Sequence, residues 1–180
     1  MELTEVQRAV RAGLARLEAH NPSRRGHGER VAPLSVAVGF ELGLRDDRLV
    51  LLRAASALHD LHKTLLPSDL LEAPRPLAEV ELASIRDAAR DFEWPISDEI
   101  TYWLRQQYHP QGERDVPLET KIIQLCTAFD CITSDQPWRT AKSEDEALKE
   151  IRSLSGRQFD AAVVEAFLRV QPLLQPIRDV

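Results

Sequence analysis

The residues most able to do chemistry in this chain are its histidines and the carboxylates beside them. There are five histidines: His20, His27, His59, His62 and His109. His59-Asp60 ends an otherwise apolar stretch, Leu51-Leu52-Arg53-Ala54-Ala55-Ser56-Ala57-Leu58. An imidazole and a carboxylate at the end of a buried helix are costly to desolvate unless they pair or hold a cation. Neutral imidazole with carboxylate suits zinc, iron, manganese or similar ions. A His-Asp pair is more commonly a hydrogen-bonded core pair, so both readings stand on these two residues alone. His62 lies three residues beyond His59 and is followed by Lys63. Thr127 and Asp130, also three apart, share one helix face, so Asp130 can lean towards the same place. His20, just before a helix end, reads as an ordinary satisfied histidine.

The elements that must position these groups read as helices throughout. Leu3, Val6, Val10, Leu14 and Leu17 repeat at three- and four-residue steps, and Asn21-Pro22-Ser23 ends that helix. A second helix carries Val31, Leu34, Val38 and Leu42 and stops near Gly43. A third runs from about Asp47 through Leu58 and beyond, until Pro67 interrupts it, with Pro74 and Pro76 in a loop. A fourth spans Glu79 to Asp91. Trp94-Pro95 opens a fifth, His109-Pro110-Gln111-Gly112 makes a turn, and Pro117 opens a sixth. Ser143 with Glu146 forms a capping box for a seventh, and the last follows Gly156. The expected fold is all-α, a bundle of seven to eight helices with no sheet. Residues 1–20 form an N-terminal packing helix and 21–180 the main domain.

The bulk numbers agree with one globular domain: 180 residues, 43% apolar and 29% charged. A net charge of −6 disfavours general nucleic-acid binding, because phosphate contacts need a basic surface. It leaves room for a small anion in a local basic pocket. No apolar run approaches a membrane span, and the acidic N-terminus lacks a signal-peptide pattern, so the expectation is a cytoplasmic protein with no membrane contact. Cys126 and Cys131 are five apart in one helix, unsuited to a disulfide or a zinc knuckle, and read as free thiols.

Taken together, these motifs resemble the HD-GYP branch of the HD metal-dependent phosphohydrolases. Leu58-His59-Asp60-Leu61-His62-Lys63, then Pro67, Leu70-Leu71-Glu72, Pro76-Leu77 and Glu79, is similar to that family's signature run. His27-Gly28-Glu29-Arg30-Val31-Ala32 resembles its His-x-x-Arg-Val-Ala. Ala128-Phe129-Asp130 through Trp138-Arg139, and the stretch from Ser143 to Phe167, resemble its closing segments. The resemblance covers roughly residues 23 to 170, in order. It implies an HD-domain helical bundle around a buried site of two or three metals, often iron or manganese, that hydrolyses cyclic di-GMP. Such ions polarise phosphate oxygens and activate water. Carried over, His27, His59, Asp60 and His109 match metal positions, and Lys63 matches the lysine that contacts phosphate.

The departures are as informative. The family's acidic ligand before the first histidine falls at Ser23, and its middle histidine falls near Asp87 or Ala88. Its later aspartate is Thr127, its glycine is His62, and the Gly-Tyr-Pro loop is replaced by a shortened bypass from Gly112 to Pro117. What remains admits one divalent transition ion (Fe, Mn or Zn) on His27, His59, Asp60 and His109, helped by Asp130 or His62. It equally admits a metal-free polar cluster. Arg139 reads as a solvated charge or as a cation stacked on Trp138. The leading expectation is a catalytically impaired, stand-alone HD-GYP-like module, with Lys63 and Asp60 as its remaining catalytic groups. It binds a cyclic dinucleotide, another small nucleotide or a protein partner. The alternatives are an active metal-dependent phosphohydrolase with a one-metal site, and a structural helical interaction module.

Overall fold

The computed structural model describes residues 3–109 and 116–178, with side chains up to 174. Nine α-helices and three 3₁₀ turns fill the described residues. They are α1 (Leu3–His20), α2 (His27–Glu41), α3 (Asp46–Leu58), α4 (Ser68–Leu71), α5 (Glu79–Asp91), α6 (Asp98–Arg105), α7 (Leu118–Thr133), α8 (Glu144–Ser153) and α9 (Ala161–Arg178). The count exceeds seven to eight because α4 is a four-residue turn of helix in the stretch read as loop after Pro67. Two isolated bridges, Gln136 with Arg139 and Ser155 with Phe159, are the β pairings among the described residues. No helix among them is long and apolar enough to cross a membrane.

The bundle is organised on α2, which packs against α3, α7 and α9. Its close approach to α3 is made by small residues. A Cβ on Gly28 would stand 2.3 Å from the Ala57 carbonyl oxygen, and one on Gly39 would stand 2.7 Å from Leu52. Val31, Leu34 and Val38 of α2, Leu52 and Leu58 of α3, and Ile122, Leu125 and Phe129 of α7 fill the centre. The Phe129 and Phe167 rings close it edge-to-face at 5.0 Å. α1 buries Val6 and Leu17 against α3 and the turn that follows it.

Two boundaries differ from the sequence expectation, each for a local reason. The fifth segment begins as α6 at Asp98 rather than at Pro95, because the Ser97 hydroxyl accepts from the Ile100 amide and so caps the helix there. The α form of the third helix ends at Leu58. Asp60 sits at φ −90°, ψ 0°, and Leu61–Leu65 continue as a 3₁₀ helix. The capping box of Ser143 and Glu146 forms as expected: the amide of Glu146 reaches the Ser143 hydroxyl, and the Glu146 carboxylate takes the Ser143 amide. The expected turn at 110–112 and the bypass from Gly112 to Pro117 lie mostly outside the described residues.

Candidate metal and phosphate site

The change from α to 3₁₀ at Asp60 builds the site. In a 3₁₀ helix residues three apart eclipse, so Lys63 stands directly over Asp60 and its Nζ lies 2.7 Å from Oδ2. α2 brings His27 from across the bundle. His27 Nε2 and His59 Nε2 are 3.3 Å apart, and the Asp60 oxygens are 4.0 and 3.5 Å from them. One donor atom from each of the three residues lies within 4.8 Å of the others, and all three residues are buried.

The hydrogen bonds around this group assign its protons. His59 Nδ1 is 2.7 Å from the Ser56 carbonyl, which can only accept, so Nδ1 carries the proton. His27 Nδ1 is 2.7 Å from the Asp130 carboxylate, which also takes Arg30 through two bonds of 2.7 and 2.9 Å. His27 therefore donates from Nδ1 as well. Burial lowers the pKa of His27, and that of His59 to about 3, so both rings are neutral near pH 7. Two Nε2 lone pairs and a carboxylate then face one another with no proton between them. Thr127 Oγ1, 3.3 Å from His59 Nε2, completes the ring. That is the donor chemistry of a cation site, and a carboxylate behind one imidazole with a carbonyl behind the other is how metal-binding histidines are held.

Asp60 is divided between two tasks. Oδ1 is turned to His59, while Oδ2 takes Lys63 and lies 3.6 Å from Arg24 Nε. Burial alone would raise its carboxyl, but Lys63, His59 and Arg24 hold it well below the usual carboxylate range. Burial and the neighbouring Arg24 lower the pKa of Lys63.

The structure thus brings His27, His59, Asp60 and Lys63 together, sets His109 on the wall of the cavity they share, and commits Asp130 and His62 to other partners. Asp130 stands behind His27 rather than beside the donor atoms. His62, the other alternative, turns away: its Nδ1 donates to the His59 carbonyl and its Nε2 takes the Tyr108 hydroxyl. Its ring packs near Trp94, 5.8 Å between centroids. His109 is exposed on the wall of a cavity of about 380 Å³ that opens onto His59, Asp60, Lys63 and Thr127. Arg139 is neither solvated nor stacked on Trp138, since its guanidinium donates to the carbonyls of Cys131, Ile132 and Thr140. His20 Nε2 donates to the Leu66 carbonyl at 2.7 Å, as an ordinary satisfied histidine does.

Arg24 is the residue that sequence reasoning missed. It sits in the 3₁₀ turn Pro22–Arg24, next to the Ser23 position, and Ser23 itself binds Glu72 through its backbone amide. The Arg24 side chain reaches inward to Asp60 and to the Cys131 sulfur, 3.0 Å from Nη1. In sequence, Arg24-Arg25 before a glycine looks like solvated charge; the one signal was its place three residues before His27.

An all-helical bundle with a buried His-Asp pair facing a second histidine is the arrangement of the HD metal-phosphohydrolase class. No protein-family model matches the chain. Among curated proteins it is similar to a cyclic di-GMP phosphodiesterase of Thermotoga maritima, 28% identical over 81% of this chain and 44% of that protein. It is also similar to the cyclic di-GMP phosphodiesterase response regulator RpfG of Xanthomonas campestris pv. campestris, 26% identical over 98% of this chain and 51% of that protein. A third relative is 3'3'-cGAMP-specific phosphodiesterase 3 of Vibrio cholerae, 27% identical over 73% of this chain and 32% of that protein. The chain spans about half or less of the length of these relatives. Among solved structures, the cyclic GMP-AMP-specific phosphodiesterase V-cGAP3 of V. cholerae superposes with a TM-score of 0.65 at 23% identity, over 97% of this chain and 42% of that one, and shares its fold. The resemblance of its motifs to the HD-GYP type accords with these relatives and, for the fold, with that structure.

Proposed function

We propose that this chain is a cyclic-dinucleotide-binding module that holds one metal ion and has little or no phosphodiesterase turnover. The observation that carries the reading is the pair of unprotonated Nε2 atoms of His27 and His59 facing each other at 3.3 Å beside Asp60. His27, His59 and Asp60 would hold the ion, which when bound polarises a phosphate oxygen as a Lewis acid. Around it, Lys63 and Arg24 add two positive charges against the single carboxylate of Asp60. An anionic ligand balances that excess, and the activities named for the relatives make a cyclic dinucleotide the candidate.

One ion rather than two follows from how Asp60 is used. A carboxylate that bridges two ions needs both oxygens free, and here Lys63 and Arg24 cover Oδ2. Thr127, where the family has an aspartate, offers a neutral hydroxyl. The first prediction is therefore at most one tightly held transition ion per chain after purification without chelator, read by elemental analysis. Two stoichiometric ions would contradict the assignment.

In-line displacement at a phosphodiester develops charge on both the attacking and the leaving oxygen. Lys63 can steady one phosphate oxygen but cannot serve both ends. Each lost electrostatic group costs on the order of 10²–10³-fold in rate, and such losses are not additive. The second prediction is that cyclic di-GMP with excess Mn²⁺ or Fe²⁺ under reducing conditions is bound but hydrolysed very slowly. Robust turnover that disappears in Asp60→Ala would replace this reading with that of an active phosphohydrolase.

A further inference from the structure

Lys63 and Tyr108 form a partition: a second cavity of about 370 Å³ lies on their other side, against α5 and the loop that carries Trp138. Three cationic side chains, Arg24, Lys63 and Arg86, line it. No carboxylate lines it among the described residues, in a chain whose net charge is −6. A basic pocket in an acidic protein needs a local reason.

The partners of these cations supply one. Arg24 and Lys63, with side chains only 16% and 11% exposed, both rest on the single carboxylate of Asp60. One carboxylate for two buried cations leaves an excess positive charge, and an uncompensated buried charge is costly. Arg86, at the cavity's outer wall, pairs with the exposed Glu79, a contact that solvent weakens and a ligand can replace. The planar guanidinium groups of Arg24 and Arg86 suit phosphate oxygens.

The rest of the lining separates a bare phosphate from a nucleotide. Trp138 is 36% exposed at this cavity, whereas Trp94 and Trp103 are buried elsewhere. Leu82 and Ile85 of α5 supply an apolar wall. Free phosphate has no use for an indole and a leucine, while a nucleobase stacks on such surfaces. A volume of this order holds one nucleotide unit.

We propose that this second cavity is a subsite for a nucleoside monophosphate unit, with the phosphate at Arg24 and Arg86 and the base against Trp138. The choice of a nucleotide rests on the function proposed above; the place of the site rests on this cavity's own residues. Because Lys63 belongs to both cavities, a dinucleotide with one phosphate at Lys63 extends its second nucleotide unit into this pocket.

The test titrates the full chain with GMP, AMP and inorganic phosphate, followed by calorimetry and by Trp138 fluorescence. Arg86→Ala and Trp138→Ala serve as variants, since both residues are at the surface and neither touches the metal group. The wild type is expected to bind a monophosphate with quenching of Trp138 and at least tenfold more tightly than inorganic phosphate. Arg86→Ala should weaken that binding about tenfold, the worth of one charge-assisted hydrogen bond. Trp138→Ala should weaken it by a similar factor while leaving phosphate binding unchanged. Neither nucleotide binding, or binding indifferent to both substitutions, overturns the proposal. Equal affinity for phosphate and nucleotides would leave a phosphate site only and overturn the nucleotide assignment. Metal content measured on the same samples separates the two readings: loss of nucleotide binding with the ion retained refutes this subsite alone. Intact nucleotide binding in a protein that holds no ion refutes the metal site alone.

Discussion

Asp60→Ala is expected to destabilise the protein by about 3–5 kcal/mol and to abolish its metal binding in the same step. The carboxylate is 3% exposed and is the acidic counterpart of two buried cations, Lys63 at 2.7 Å and Arg24 at 3.6 Å. Its removal leaves both without a balancing charge, and breaking a buried pair from one side costs far more than the pair contributes in net stability. Burial and Arg24 already lower the Lys63 pKa, so the lysine can shed its proton and recover part of the loss. That places the effect near the lower end of the range. In a domain of this size each kcal/mol moves the melting temperature by about 2–4 °C, so thermal unfolding should fall by roughly 10 °C. Adding Lys63→Met to Asp60→Ala should restore part of the difference, because the orphaned cation is then gone. In a parallel melt with Co²⁺ the wild type should gain stability by mass action, and the variant should gain none. A shift below about 1 kcal/mol would mean that Asp60 is not the counter-charge that the geometry makes it.

The helices were legible because their apolar residues recur at helical steps, and because Ser143-x-x-Glu146 and Pro117 mark real starts. His59-Asp60 stood out as a polar pair at the end of an apolar run, and His27 followed from the family resemblance. What stayed hidden depended on backbone form or on partners distant in sequence. An i, i+3 argument drawn on an α-helix puts His62 beside His59. The chain instead turns to 3₁₀ at Asp60, which stacks Lys63 on Asp60 and commits His62 to the His59 carbonyl and Tyr108. Asp130 does share a face with Thr127 and does lean inward, but Arg30 and His27 of α2, some hundred residues earlier, capture both of its oxygens. Burial would raise that carboxyl, yet the bonds from His27 and Arg30 bring it down to about 2, so it stays a charged support for the imidazole. Arg24 was barely legible: apart from its place three residues before His27, nothing in Ser23-Arg24-Arg25 distinguishes a guanidinium that turns inward from one left in water.

Gly28→Ala and Gly13→Ala should separate sharply, although helix propensity alone predicts both to stabilise, by up to about 1 kcal/mol each. Both glycines lie in helices, Gly13 in α1 and Gly28 in the first turn of α2. At Gly13 the added Cβ would meet the Leu58 Cδ2 atom at 2.6 Å. That atom is the far end of a flexible side chain and can move aside, so the propensity gain and the packing loss should nearly cancel, within about 1 kcal/mol of the wild type. At Gly28 the Cβ would stand 2.3 Å from the Ala57 carbonyl oxygen and 2.9 Å from Leu14. A backbone oxygen in the last turn of α3 cannot rotate away, so α2 and α3 must separate, at about 3 kcal/mol or more. The displacement falls where the site is assembled, since His27 precedes Gly28 and His59 lies two residues after Ala57. The 3.3 Å approach of their Nε2 atoms should widen, and cation affinity should fall with stability. Urea unfolding of the two variants, with Co²⁺ titration of each, reads both effects. A Gly28→Ala protein as stable as the wild type and with unchanged cation affinity would mean that the contact between α2 and α3 does not set the geometry of the site.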